Sequence, residues 1–110
     1  MDVLDLIIKK KYAKEIAEGT KVREYRTCND FYLKRVCHIK NGETTGFKKF
    51  DNVRLHDYNN SFEVVAKVDK IIIVEIDDWW IENMSHEIEA EKGTDVIVIE
   101  LGDIVSTRGL

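Results

Sequence analysis

The residues most suited to chemistry in this chain lie in one short stretch, Gly19-Thr20-Lys21-Val22-Arg23-Glu24-Tyr25-Arg26. Lys21, Arg23 and Arg26 are cations that can meet phosphate, and Glu24 is a carboxylate set among them. A carboxylate between cations stays ionised and leaves positive charge over for an anion. Tyr25 adds a ring that can stack on a planar ligand. The same residues suit catalysis, with Lys21 as a base and Glu24 orienting water or protonating a leaving group. A solvated strand face carries charges too, so spacing has to decide. In a regular strand Lys21, Arg23 and Tyr25 share one face, and Val22, Glu24 and Arg26 the other. Lys21 joins Glu24 and Arg26 only if the backbone bends near Gly19, a bend that glycine permits.

Three further candidates lie outside the stretch. Lys10, with Lys9 and Lys11, crowds the start of a helix, where positive charge opposes the dipole and an incoming anion would relieve it. Trp79 and Trp80 are adjacent; in a strand they would point to opposite faces, one into the core and the other exposed, with the sequence leaving open which is which, and Trp79 is taken as the candidate to stack on a base. His38 and His56 could serve acid–base roles, although a lone histidine is more often structural or solvated. Thr20 and Thr27 are the nearby hydroxyls. Cys28 and Cys37 have no C-x-x-C spacing, and with His38, His56 and His86 they form no recognised ligand pattern. No metal and no cofactor are expected.

The elements that must position these residues follow from periodicity. Val3 to Ile8 reads as a buried strand. Lys10 to Glu18 reads as a helix with an apolar stripe of Tyr12, Ala13, Ile16 and Ala17, stopped by Gly19. Asn29-Asp30 caps a short helix over Phe31 to Val36. Residues 40–46 read as a loop. Phe50 to Tyr58 and Phe62 to Val68 read as a hairpin about Asn59-Asn60-Ser61. Asp69-Lys70 breaks the run, and Ile71 to Ile76 continues as another strand or as the same one after a bend. Residues 77–84 are ambiguous. Asp95 to Leu101 is the strongest strand and extends past a kink at Gly102 to Thr107.

At 110 residues the chain is expected to form a single domain, 1–110. Its apolar and charged fractions, 44% and 35%, are those of a soluble globular protein. No apolar run reaches membrane-spanning length, and the start lacks the pattern of a signal peptide, so a cytoplasmic protein with no membrane partner is expected. Net charge is −4. Residues 1–54 hold 13 Lys and Arg against 8 Asp and Glu, and residues 55–110 hold 4 against 13. Such asymmetry suggests one basic face on an otherwise acidic protein, unless the halves interleave. One early helix followed by many strands predicts an α+β fold: a small, bent, mainly antiparallel β-barrel with two or so short helices at its rim.

The chain resembles the ASCH domain, a branch of the PUA-like fold, and within it the small bacterial and phage proteins. The motif G-x-K-x-x-E-x-R stands here as Gly19, Lys21, Glu24 and Arg26. The preceding helix Tyr12 to Glu18, the run Phe31-Tyr32-Leu33-Lys34-Arg35 and the closing strand Asp95 to Val105 are also similar. The resemblance implies a PUA-like barrel with a cleft beside the motif. It also implies RNA, a nucleotide or a nucleoside as partner. Some relatives hydrolyse the acetyl group of acetylcytidine with a lysine, a threonine and a glutamate. Lys21 matches that lysine, but Glu24 stands at the threonine position, and Glu82 is only a regional candidate for the third residue. A binding module is therefore favoured over a hydrolase acting on a modified nucleoside or on RNA. The ligand-binding set is Lys21, Arg23, Glu24, Tyr25, Arg26, Lys10 and Trp79. A protein-binding scaffold, using the acidic run of Glu87, Glu89 and Glu91, is a third reading.

Overall fold

The computed structural model describes residues 2–110. In chain order the elements are β1 (Val3–Ile7), α1 (Lys10–Glu18), β2 (Arg23–Thr27), α2 (Asp30–Val36), β3 (Cys37–Lys40), β4 (Glu43–Phe47), β5 (Asn52–His56), β6 (Glu63–Glu75), α3 (Asp78–Met84) and β7 (Asp95–Arg108). The fold is α+β and mostly strand, with three helices among the described residues. Five strands are hydrogen-bonded in the order β1-β5-β6-β7-β2, and β3 pairs with β4 in a separate ribbon. β1 runs parallel to β5, which departs from an all-antiparallel arrangement; β5 with β6 and β3 with β4 are antiparallel. Among the described residues no helix is long and apolar enough to cross a membrane.

The chain divides into two compact units. One comprises the residues up to Glu24, Lys49–Lys70 and Glu100–Leu110; the other comprises Tyr25–Lys48 and Ile71–Ile99. Strands β2, β6 and β7 each contribute residues to both.

In the first unit, strand alternation sorts the side chains. Leu4 sits opposite Val53 and Leu6 opposite Leu55, while Val53 sits opposite Ala66 and Leu55 opposite Val64. All six are buried, as are Ala13 and Ile16 of α1. Fully burying a side chain such as Leu or Val contributes about 1.5–3 kcal/mol, so each rung of these ladders holds the unit together. Between these positions β1 and β5 carry the charged residues Asp5 and Arg54. Arg54 lies opposite Asp5 and pairs with it at 3.2 Å, and its Nε reaches Glu63 at 2.5 Å. His56 Nε2 contacts the Asp5 carboxylate.

The second unit has a core of Ile76, Trp80, Val96 and Val98, with Tyr25, Ile72, Val74, Met84, Ile88 and Ala90 packed on it. Three expectations change here. Residues 40–46 are no loop: β3 and β4 form a hairpin about Asn41-Gly42, whose φ values of 53° and 78° are those a tight two-residue turn needs. The ambiguous 77–84 segment is helix α3, because the Asp77 side chain caps it by accepting from the Trp80 N–H at 2.9 Å. Trp79 and Trp80 are therefore helical neighbours, not strand neighbours. The break at Asp69-Lys70 is also absent, since β6 runs unbroken through it. Within the first unit a Cβ at Gly102 would overlap the Asp69 carboxylate, so glycine there admits a close neighbour.

Two consequences can be measured. Gly19 ends α1 with φ at 83°, a left-handed conformation that a Cβ disfavours by about 1–2 kcal/mol. Gly19→Ala should lower the melting temperature by roughly 5 °C or more, and Gly19→Asn by less, read by thermal circular dichroism. At the β5–β6 turn, Asp57 accepts from the Ser61 hydroxyl and from the Ser61 N–H at 2.7 Å. These bonds, the hydroxyl first, hold the Asp57 carboxyl below its ordinary range. A carboxylate so held contributes stability above its unfolded value and loses it as pH falls through its folded value. Ser61→Ala should therefore reduce stability at neutral pH and flatten the acid limb of a denaturation series; parallel limbs for the two proteins would contradict the assignment.

Candidate functional site

The charged stretch begins where α1 ends. Gly19 donates its N–H to the Ile16 carbonyl at 3.1 Å, and the Thr20 and Lys21 N–H groups both donate to the Glu15 carbonyl, at 3.0 and 3.1 Å. The Thr20 hydroxyl donates to the same oxygen at 3.1 Å. The backbone is thus tied to the helix end as far as Lys21, and the regular strand starts only at Arg23. Alternation does not govern the stretch. Val22 is exposed, whereas Lys21 and Glu24 are buried, at 7% and 6% of their free exposure. Among the described residues these are the two buried charged side chains.

Lys21 turns back over α1, with Nζ 5.2 Å from the centre of the Tyr12 ring. Lys11 approaches the same ring at 5.7 Å. A cation over an aromatic face gains about 0.5–2 kcal/mol, more as water is removed. The ring therefore offsets part of the cost of taking the Lys21 ammonium out of water. Tyr12 reads in sequence as one member of an apolar helix stripe, and nothing in that pattern marks it as a seat for an ammonium. Arg23, on the exposed side, pairs with Glu100 at 3.6 Å; a surface pair of this kind is worth about 0–1 kcal/mol. Lys10 is exposed at the first position of α1, whose first turn has no acidic residue and whose N-cap, Lys9, makes no side-chain cap.

Three candidates fall in the second unit. Tyr25 meets Trp80 edge-on, with ring centres 5.3 Å apart and planes at 89°, so it packs on that unit's core. Trp79 is 61% exposed on α3, and Trp80 is buried. Arg26 lies over the Tyr32 ring at 5.7 Å and donates from Nη1 to the Tyr32 hydroxyl at 3.4 Å. Lys10, Lys21, Arg23 and Glu24 thus belong to the first unit, and Tyr25, Arg26 and Trp79 to the second.

The remaining acid–base candidates have structural surroundings. In the first unit His56 Nδ1 lies 2.8 Å from the Asp57 carbonyl, and Nε2 contacts the Asp5 carboxylate, so both ring nitrogens are engaged. In the second unit His38 and Glu82 are exposed. Among the described residues no three of His, Cys, Asp and Glu gather to hold a metal ion. Cys28 and Cys37 are free thiols. No family model, curated protein or solved structure matches the chain.

The two thiols give this region a chemical readout. Burial pushes the Cys28 thiol up, and the Asp95 carboxylate adds to that; burial also pushes Cys37 up, against the pull of Lys48. Both are therefore poor nucleophiles at neutral pH. Iodoacetamide labelling of Cys28 should rise only above the ordinary thiol range, and Asp95→Asn should move that rise to lower pH. Rapid labelling at pH 7 would show that the thiol is not held this way.

Proposed function

We propose that the chain is an RNA- or nucleotide-binding domain of the ASCH type, built on the small bent barrel of the PUA-like fold, with Lys21 and Glu24 as its ligand-contacting charges. The observation that carries this reading is their burial. Withdrawing an ammonium or a carboxylate from water costs several kcal/mol before any partner is counted. A solvated strand face would spend nothing of the kind, and Arg23 next to them shows what such a residue looks like. Charges kept at buried positions in a stretch of motif spacing are suited to a ligand that is itself charged and partly desolvated. In this reading Lys21 donates to a phosphate oxygen, and the Glu24 carboxylate accepts from an exocyclic amine of the base. Arg23 and Lys10, both exposed, add long-range attraction for the anion.

Binding is preferred to hydrolysis because Glu24 stands where the acetylcytidine hydrolases that the motif resembles carry a threonine. Of the two nearby threonines, Thr20 donates its hydroxyl proton to the Glu15 carbonyl.

The test is equilibrium binding of fluorescently labelled cytidine monophosphate, with acetylcytidine turnover followed in parallel. Lys21→Met, which keeps the side chain's length and removes its charge, should weaken binding about tenfold or more, the usual worth of a hydrogen bond to a charged group. Arg23→Ala should change it little and mainly alter its salt dependence. Unchanged affinity in a folded Lys21→Met variant would remove the basis of the proposal. Turnover that Glu24→Gln abolishes would replace it with the hydrolase reading.

A further inference from the structure

Four side chains of the second unit form a continuous array. The Arg26 guanidinium lies 5.7 Å from the centre of the Tyr32 ring. Tyr32 meets Phe31 edge-on, with centres 5.0 Å apart and planes at 84°. The Arg35 guanidinium lies 4.5 Å from the centre of the Phe31 ring. The order is therefore guanidinium, ring, ring, guanidinium. The outer ring is not core: Phe31 is 58% exposed at the second position of α2. More than half of its surface is open to solvent and to a planar ligand.

The charge around the array is uneven. Residues 25–48, which include α2 and the β3–β4 hairpin, hold five Lys and Arg against two Asp and Glu. Residues 71–99, the rest of the same unit, hold one against eight. Lys34, Arg35 and Lys40 are all exposed. A positive segment within an acidic protein, carrying an open ring stacked on a guanidinium, has the chemistry of single-stranded nucleic-acid binding. Phosphates answer to the cations, and a base answers to a π-face or a guanidinium plane.

We infer that α2 with the β3–β4 hairpin is a platform for single-stranded nucleic acid, on which a base stacks at Phe31 and Arg35 while Arg26, Lys34 and Lys40 meet the phosphates. The inference rests on the nucleotide-binding reading only through Arg26, the last position of the motif. It extends the ligand from a nucleotide to a strand of several.

The experiment is fluorescence anisotropy with labelled ten-nucleotide oligouridylate, as RNA and as the matching DNA, across a salt series, beside the labelled mononucleotide. The full chain should bind the oligomer more tightly than the mononucleotide, with affinity falling as salt rises. Phe31→Leu keeps an apolar side chain but removes the ring. It should weaken oligomer binding about 5- to 150-fold, the range found for loss of one stacked base. Phe31→Trp should restore it. Lys40→Ala should lower the salt slope by about 0.7 if it meets one phosphate. Equal binding of RNA and DNA supports a platform that reads backbone and stacking; RNA preference supports one that also reaches the 2′-hydroxyl. If Phe31→Leu binds the oligomer as the unaltered chain does, Phe31 and Arg35 are only a helix-surface pair and the platform is overturned, while mononucleotide binding sensitive to Lys21→Met leaves the earlier reading intact. If Phe31→Leu weakens the oligomer and Lys21→Met affects neither ligand, the platform stands and the Lys21 reading falls. An oligomer that binds no more tightly than the mononucleotide also overturns the platform.

Discussion

The left-handed turn at Gly19 decides where the charged stretch points. A residue with φ at 83° reverses the backbone within one step, and it lets two successive N–H groups reach back to the Glu15 carbonyl. The helix end thereby holds the chain until Lys21, and strand geometry takes over only at Arg23. Had the strand begun at Lys21, alternation would have set Lys21 against Glu24. Instead the three-residue interval between them brings both to buried positions and leaves Val22 and Arg23 outside. One backbone torsion thus separates a charged surface from a pair of buried charges.

Those charges have to be tolerated by the unit that contains them. The ladders of Leu4, Leu6, Val53, Leu55, Val64 and Ala66 supply apolar burial that does not depend on the stretch. The Tyr12 ring lies on α1 and faces an ammonium, while Ala13 and Ile16 of the same helix are buried. The helix therefore serves the core and the charged stretch at once.

Where a local signal was strong, the sequence was legible. The bounds of α1 follow from its apolar stripe and from Gly19, and the caps at Asn29 and Asp77 show why α2 and α3 begin where they do. Illegible were features set by tertiary contact. The strands beside Asn41-Gly42 are short and almost wholly exposed, so they lack the apolar alternation that marks a strand, although the dipeptide itself is a hairpin signal. Asp69-Lys70 looks like a break because two charges interrupt an apolar run, yet hydrogen bonding along β6 carries the strand through them. The inward turn of Lys21 was legible as a possibility from Gly19, but its seat on Tyr12 was not, because a stripe at helical spacing says nothing of what covers its edge.

Charge shows the same limit. The two halves of the sequence differ sharply in sign, which suggested one basic face. Folding redistributes that contrast. The first unit takes segments from both halves and carries eleven Lys and Arg against eleven Asp and Glu. The whole net charge of −4 therefore resides in the second unit, which holds six against ten. Within it the basic residues gather in 25–48 and the acidic ones in 71–99, so the asymmetry survives there alone. An anion approaching the first unit meets a surface on which acidic and basic residues balance. An anion approaching the second unit is drawn to one segment and repelled by the other. Orientation of a polyanion by such a field is a property of the folded unit, because it depends on which segments the fold assigns together.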